Sequence, residues 1–379
     1  VTMVSTEKAS DIKTSHYYSL DAIRIFAASI VLLNHFASYS SKSILLTMNE
    51  DGAYPFLKHF YGIGAVGVEI FFVISGFVIA SSASRGSGLS VALTFAYHRG
   101  RRIFPILWIS SVVSLLAMCS IEDNWVPLLK AFIRSNVLFP LGPYIDGVVW
   151  SLIVEGFFYF VVALTILSSN PNRLIKLSIF IAILSIIYNS FLISYATKLY
   201  YTHDEAILSA LHKFPFKLFL LRYGVFFSLG IIIFHSRRRL NFPTILLAFI
   251  CFVSCIAEII SSSELGYRGT IVTVSIWATC VAVITYSAAY NSKNKPVLSL
   301  SALKLLKFLG NLSYPLYLNH YTLGIVLTYR LKFINSPPLK FLICLLSVLA
   351  VSVAVLYLEK IIRRSFLFER SMPERDATS

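Results

Sequence analysis

In RIFAASIVLLNH, a guanidinium at Arg24 and an imidazole at His35 bracket a run that is otherwise apolar. Eleven residues of α-helix turn through about 1100°, three turns plus roughly 20°, and rise about 16 Å. Both side chains therefore leave the same face of one helix, at different depths. Alone, such a pair reads equally well as an arginine snorkelling to one interface and a histidine marking the other. Other apolar runs carry further ionisable groups at depth: Glu69 in GVEIFFVISGF, Glu155 in VVWSLIVEGFFYF and His320 in SYPLYLNHYTLG. Such groups are costly in hydrocarbon and turn toward a bundle interior, where they mark functional sites. Together they point to one polar cavity inside a membrane. A neutral imidazole in that setting can serve as a nucleophile or a general base, which makes His35 the first candidate for chemistry. A carboxylate beside it would hold one tautomer and stabilise the imidazolium. Glu69, expected close to the depth of His35, takes that role. Glu155 and His320 are then available for further proton transfer or for hydrogen bonds to hydroxyls.

The elements that must carry these residues follow from composition. Hydrophobic residues make up 57% of the 379 positions and charged ones 13%, with a mean hydropathy of +0.75. A water-soluble chain of this length does not have that balance. Crossing a hydrocarbon core of about 30 Å takes roughly 20 helical residues. Ten runs meet that need, at about 19–38, 62–83, 103–119, 147–167, 177–195, 216–234, 243–261, 269–289, 308–328 and 339–358. Continuous apolar runs of this length exclude the alternating strands of a membrane barrel. The expected fold is an all-α polytopic helical bundle of about ten transmembrane helices. It would have a polar segment 1–18, one membrane domain 19–358 and a tail 359–379, with no internal repeat.

The opening VTMVSTEKASDIKTSH lacks the basic start, apolar middle and cleavage site of a secretory signal, so the first span is expected to stay. Lysines and arginines are about twice as frequent on the side that holds the N-terminus, which places both termini in the cytoplasm. The same asymmetry accounts for the net charge of +15 and argues against nucleic-acid binding. Cys251 and Cys255 share a helical face, but no further thiol or imidazole accompanies them. With Cys119, Cys280 and Cys344 they read as core residues, and no metal is expected.

SLDAIRIFAASIVLLNHF, GVEIFFVISGF, RGRRIFPILW, WSLIVEGFFYF and LSYPLYLNHY occur in this order, and in combination they make the chain resemble the acyltransferase-3 family of integral membrane acyltransferases. The likeness extends over essentially the whole sequence. It implies transfer of an acyl group, usually acetyl, from a cytoplasmic thioester such as acetyl-CoA to a carbohydrate hydroxyl across a bacterial plasma (inner) membrane. It also implies that Arg24 and His35 are essential, and that Arg99 and Arg102 match the family's arginine pair ahead of the third span. Glu69 and Glu155 match its acidic positions, and His320 a histidine near its C-terminal spans. Asn319 stands where many relatives have an aromatic residue, so acceptor contacts there are expected to differ. Larger members add an extracytoplasmic esterase-like domain after the last span; with about twenty residues after Leu358, none is expected here.

CoA presents phosphates, which arginine engages by paired, charge-assisted hydrogen bonds. YHRGRRIFP would set Arg99, Arg101 and Arg102 at the cytoplasmic mouth, with Arg24 arriving from the same side. Positive-inside anchoring explains Arg101 equally well and explains the triple Arg237, Arg238, Arg239 outright. At the outer end Trp150, Ser151 and Asn319 are acceptor-binding candidates, whereas Trp125 reads as part of an interfacial belt. A proton-coupled transporter would bury the same residue types. It would also show repeated halves with matching helix interruptions, which this sequence lacks. The acceptor sugar, the size of the acyl group, covalent against direct transfer, and the need for a separate extracytoplasmic partner or a second copy are left open.

Overall fold

In the computed structural model the chain is described over residues 16–42, 53–202, 211, 213–237, 241–263, 265–290 and 298–371. Every regular element among the described residues is helical: α1 (Tyr18–Lys42), α2 (Val66–Ala83), α3 (Leu89–Cys119), α4 (Trp125–Asn136), α5 (Val149–Ile166), α6 (Arg173–Thr202), α7 (Phe214–Leu218), α8 (Gly224–Ser236), α9 (Phe242–Ser262), α10 (Tyr267–Tyr290), α11 (Leu300–Asn319), α12 (Thr322–Arg330) and α13 (Pro337–Ser371). Eight of these, α1, α2, α3, α5, α6, α9, α10 and α13, contain stretches long and apolar enough to cross a membrane. Residues 1–15 and 372–379, and with them Lys8, Lys13, Arg238, Arg239, Lys293, Lys295 and Arg375 of the charge asymmetry, lie outside the described residues.

The remaining two expected spans take other forms. The run 216–234 is divided into the short α7 and the thirteen-residue α8, with Leu220 between them at φ 61°. The run 308–328 is broken into α11 and α12 at His320 and Tyr321. The third span begins at Leu89 rather than near 103, so the arginines of YHRGRR sit on α3 itself. The last helix continues past 358 into the expected tail.

The centre of the bundle is α2, flanked by α8, whose residues from Gly224 to Phe234 are all buried. These helices cross at bare backbone. A Cβ on Gly76 would stand 2.1 Å from the Phe227 carbonyl oxygen, and one on Gly230 would stand 2.1 Å from that of Val73. Close approach through small residues is how helices associate where no water drives them together. On the other side of α2 lies α1, which also packs along α11. Because α1 is continuous from Tyr18 to Lys42, the eleven-residue spacing of Arg24 and His35 is preserved on it. α4 was not foreseen. It is too short to span and buries Leu128, Ala131 and Ser135, while Trp125, Leu129 and Ile133 face outward.

Candidate active site

At the end of the bundle where α1 begins, a cavity is lined by Arg24 of α1, Arg99 and Arg102 of α3, Ser75 of α2, and Glu155 and Tyr159 of α5. The spacing on α3 decides its arginines. Residues 99 and 102 are one turn apart on one face, whereas 101 points elsewhere. Arg101 accordingly lies against the Tyr97 ring, 5.4 Å from its centroid, and is not part of the lining. Arg24 approaches Asp21 at 3.4 Å, and Asp21 is also 2.5 Å from His16. Arg99 is held by the Ser82 hydroxyl and by the faces of Phe95 and Tyr159, 5.4 and 5.8 Å away. Its Nε has no hydrogen-bond partner among the described residues. Glu155 accepts hydrogen bonds from Ser75 Oγ at 2.6 Å and Tyr159 OH at 2.5 Å. Three guanidinium groups thus face one cavity that holds one carboxylate, an excess of positive charge suited to a polyanionic ligand.

A second cavity shares Phe71, Leu152, Glu155 and Tyr314 with the first and adds Ser151 and Tyr317. Ser151 Oγ and Tyr317 OH are 2.7 Å apart, and the Tyr317 ring lies 5.7 Å from that of His320. The His320 ring in turn is 5.2 Å from that of His35, tilted by 40°, and Tyr321 meets His35 edge-on at 4.8 Å. A line of polar groups therefore runs from the arginines to a pair of imidazoles.

The helix break accounts for its own backbone. His320 NH still bonds to the Leu316 carbonyl, but Thr322 NH turns away to Asp146 Oδ2 at 3.1 Å. The freed carbonyl of His320 accepts from Tyr39 OH at 2.7 Å, and the same hydroxyl lies 3.3 Å from the Tyr321 carbonyl, which accepts from Ile325 NH at 3.0 Å. Irregular backbone persists at membrane depth only where side chains satisfy it in this way. His320 is fully buried, and its Nδ1 lies 2.8 and 3.2 Å from the Tyr317 and Leu316 carbonyls. Carbonyls only accept, so Nδ1 carries the proton and Nε2 keeps its lone pair in the neutral ring. That Nε2 is buried with no hydrogen-bond partner among the described residues.

The other expected site residues are distributed as follows. Ser151 lines the second cavity. The Asn319 amide donates to Ser110 Oγ at 3.1 Å and to the Pro315 carbonyl at 2.7 Å, tying the broken helix to α3. Trp150 packs against Tyr223 at 5.6 Å, with the Lys217 ammonium 5.2 Å above its ring. Glu69 belongs to a different cluster, facing Glu258 of α9 and the field of Arg222. Arg222 Nε donates to Glu258 Oε1 at 2.8 Å in a pair whose side chains are 11% and 1% exposed. Asn189 Nδ2 anchors the Arg222 carbonyl at 3.0 Å. Removing one partner of a buried pair leaves the other uncompensated, so Arg222→Ala is expected to destabilise the protein by about 3–5 kcal/mol. Thermal unfolding in detergent measures this, and an unchanged midpoint would contradict it.

With that geometry in place, comparison with known proteins is decisive for the family. The family model described as an acyltransferase domain matches residues 17–357, nearly the entire chain. The chain belongs to the acyltransferase-3 family. A peptidoglycan O-acetyltransferase, OatA, of Listeria monocytogenes is 25% identical over 303 residues, covering 72% of this chain and 47% of that protein. The exopolysaccharide production protein ExoZ of Rhizobium meliloti is 34% identical over 99 residues, 26% of this chain and 31% of the relative. An O-acetyl transferase of Shigella phage Sf6 is 34% identical over 94 residues, 25% of this chain and 24% of the relative. The chain thus spans less than half the length of these curated relatives. No solved structure gives a significant match.

Within this family member, several residues of the site were missed by the sequence reading. Tyr159 stands one helical turn beyond Glu155 on the same face of α5, a spacing that was available. Arg222 and Glu258 also sit in apolar runs, and the cost of burying them flags them by the same rule that flagged Glu69. Tyr39, Tyr317 and Asp146 carried no such signal, since a tyrosine or a loop aspartate becomes special only through its neighbours.

Proposed function

We propose that the chain is an O-acetyltransferase that takes an acetyl group from a cytoplasmic CoA thioester and delivers it to a hydroxyl of an extracytoplasmic carbohydrate. The observation that carries this reading is the imidazole pair that lies beyond Tyr317, itself a lining residue of the second of two adjoining cavities that begin among Arg24, Arg99 and Arg102; neither imidazole lines these two cavities itself. The arginines bind the phosphates of the donor at the cytoplasmic end and leave its thioester pointing inward. His35 either attacks the thioester carbonyl, breaking the C–S bond and releasing CoA thiolate before the acceptor hydroxyl takes the acyl group from the imidazole, or removes the acceptor proton as that hydroxyl displaces CoA directly. In both cases His320, through Nε2, relays the hydroxyl proton, which ends on the CoA thiol. Glu155 holds the polar lining between the two ends through Ser75 and Tyr159. The acceptor approaches from the opposite side, past the first turn of α5, which carries Trp150 and Ser151.

The relatives named for O-acetyl transfer to peptidoglycan and for exopolysaccharide production support a surface polysaccharide or a lipid-linked saccharide as the acceptor class. Membership of an acyltransferase family removes the ground for the transporter alternative. The test is reconstitution into vesicles with acetyl-CoA supplied on one side and carbohydrate on the other. An ester on the carbohydrate, formed only when the donor is on the side of the α1 N-terminus, is expected. Solute uptake without ester formation would overturn the reading.

A further inference from the structure

The loop before α5 touches the helix break at more than one point, and its carboxylate is unusual. Asp146 is 3% exposed. Its Oδ2 accepts from Thr322 NH at 3.1 Å and from Ser114 Oγ at 3.4 Å, and its Oδ1 accepts from Val148 NH at 3.1 Å. The neighbouring Ile145 carbonyl accepts from Thr322 Oγ1 at 3.1 Å. Gly147 lies so close to Tyr321 that an added Cβ would come within 2.6 Å of its ring. One short loop thus grips both residues that follow His320.

The carboxylate stands at the N-terminus of α12, where a negative charge is favoured by the free NH groups and the helix dipole. It makes no ion pair among the described residues. The ionisable groups that face it are the phenols of Tyr39 from α1, Tyr317 from α11 and Tyr321 from the break. Those tyrosines are the ones that surround His35 and His320. We infer that Asp146 is a positioning residue for acyl transfer, holding the broken end of α11 and α12 so that the His320 ring faces His35, and supplying negative charge beside the tyrosines that surround that pair. The inference rests on the assignment of chemistry to the two imidazoles.

Burial pushes the Asp146 carboxyl up to about 6, against hydrogen bonds from Val148, Thr322 and Ser114 that act the other way. A carboxyl whose folded value lies above its unfolded one costs stability once it ionises, so losing the charge alone does not lower stability at neutral pH, whereas losing an acceptor for Val148 or Thr322 NH does. Neutralising the carboxyl does remove an anion that titrates near pH 6 and that favours positive charge on the imidazoles nearby. The pH dependence of kcat therefore separates a positioning role from a structural one, since a merely structural defect does not shift it.

The experiment compares wild type, Asp146→Asn and His35→Ala in the vesicle assay from pH 5 to 8, with thermal midpoints measured alongside. Asp146→Asn, whose single amide oxygen can accept from only one of the Val148 and Thr322 NH groups, is expected to lower the midpoint modestly, lower kcat about tenfold with donor and acceptor KM within about twofold, and move the acid limb of kcat to lower pH. The displacement of that limb is the readout. Full kcat, or a lowered kcat with an unmoved acid limb, overturns the inference. If His35→Ala is inactive in that case, only the role of Asp146 is lost. An active His35→Ala instead removes the assignment of the imidazoles.

Discussion

Replacing His35 by alanine is expected to lower kcat by at least about 10³-fold, while protein level, membrane insertion and the thermal midpoint stay at wild-type values. Nucleophilic or general-base participation contributes factors of this order, and a methyl group supplies neither. The geometry makes the prediction specific. His35 is reached from the cavities through Tyr317 and His320, so its loss should spare donor binding, measured as CoA affinity in detergent. Activity above about a tenth of wild type would reject the central role of His35 and move the chemistry to His320. The paired substitution His320→Ala then tells the imidazoles apart: a relay can be bypassed by water and loses less, whereas a nucleophile cannot.

The second large effect concerns the donor. Arg99→Ala combined with Arg102→Ala is expected to weaken CoA binding about 100-fold, with the acceptor KM unchanged. A hydrogen bond to a charged group is worth about 1.5–3 kcal/mol when made. Two such losses, reduced by solvent at the exposed Arg102, give a change of that order. Binding should also weaken with rising salt in the wild type and less so in the variant, since the screened charges are gone. Arg101→Ala serves as the control, because Arg101 lies on Tyr97 outside the cavity and should bind CoA as wild type does. An unchanged donor dissociation constant in the double variant would rule out the phosphate clamp. Weakening in Arg101→Ala equal to that of the double variant would show a diffuse surface field in place of a built site.

How much of this was legible beforehand depends on the range over which each feature is set. The common face of Arg24 and His35 followed from helical pitch alone, because both belong to one uninterrupted helix. The separation of Arg99 and Arg102 from Arg101 is likewise a matter of pitch on α3, although the start of that helix at Leu89 was not foreseen. Polar residues such as His98 and Arg99 stop an apolar run without stopping a helix, so hydropathy marks the hydrocarbon and not the element. Glu69 shows the opposite limit. Its depth could be read from the sequence, but its direction around α2 toward Arg222 and Glu258 depends on which helices lie beside it.

The sequence by itself determined that this is a helical membrane protein of the acyltransferase-3 family and that imidazole, carboxylate and guanidinium groups are carried into its interior. Those facts are local, fixed by the cost of apolar surface in water and of charge in lipid, which every window of the chain expresses. Only the tertiary structure decided that the run 308–328 breaks at His320, that Tyr39 and Asp146 satisfy the freed backbone, and that the ring of His320 meets His35. A helix interruption inside a membrane is stable only when partners distant in sequence fill its open hydrogen bonds. Tyr39 is 281 residues from His320 and Asp146 is 176 from Thr322, so no local window contains the cause.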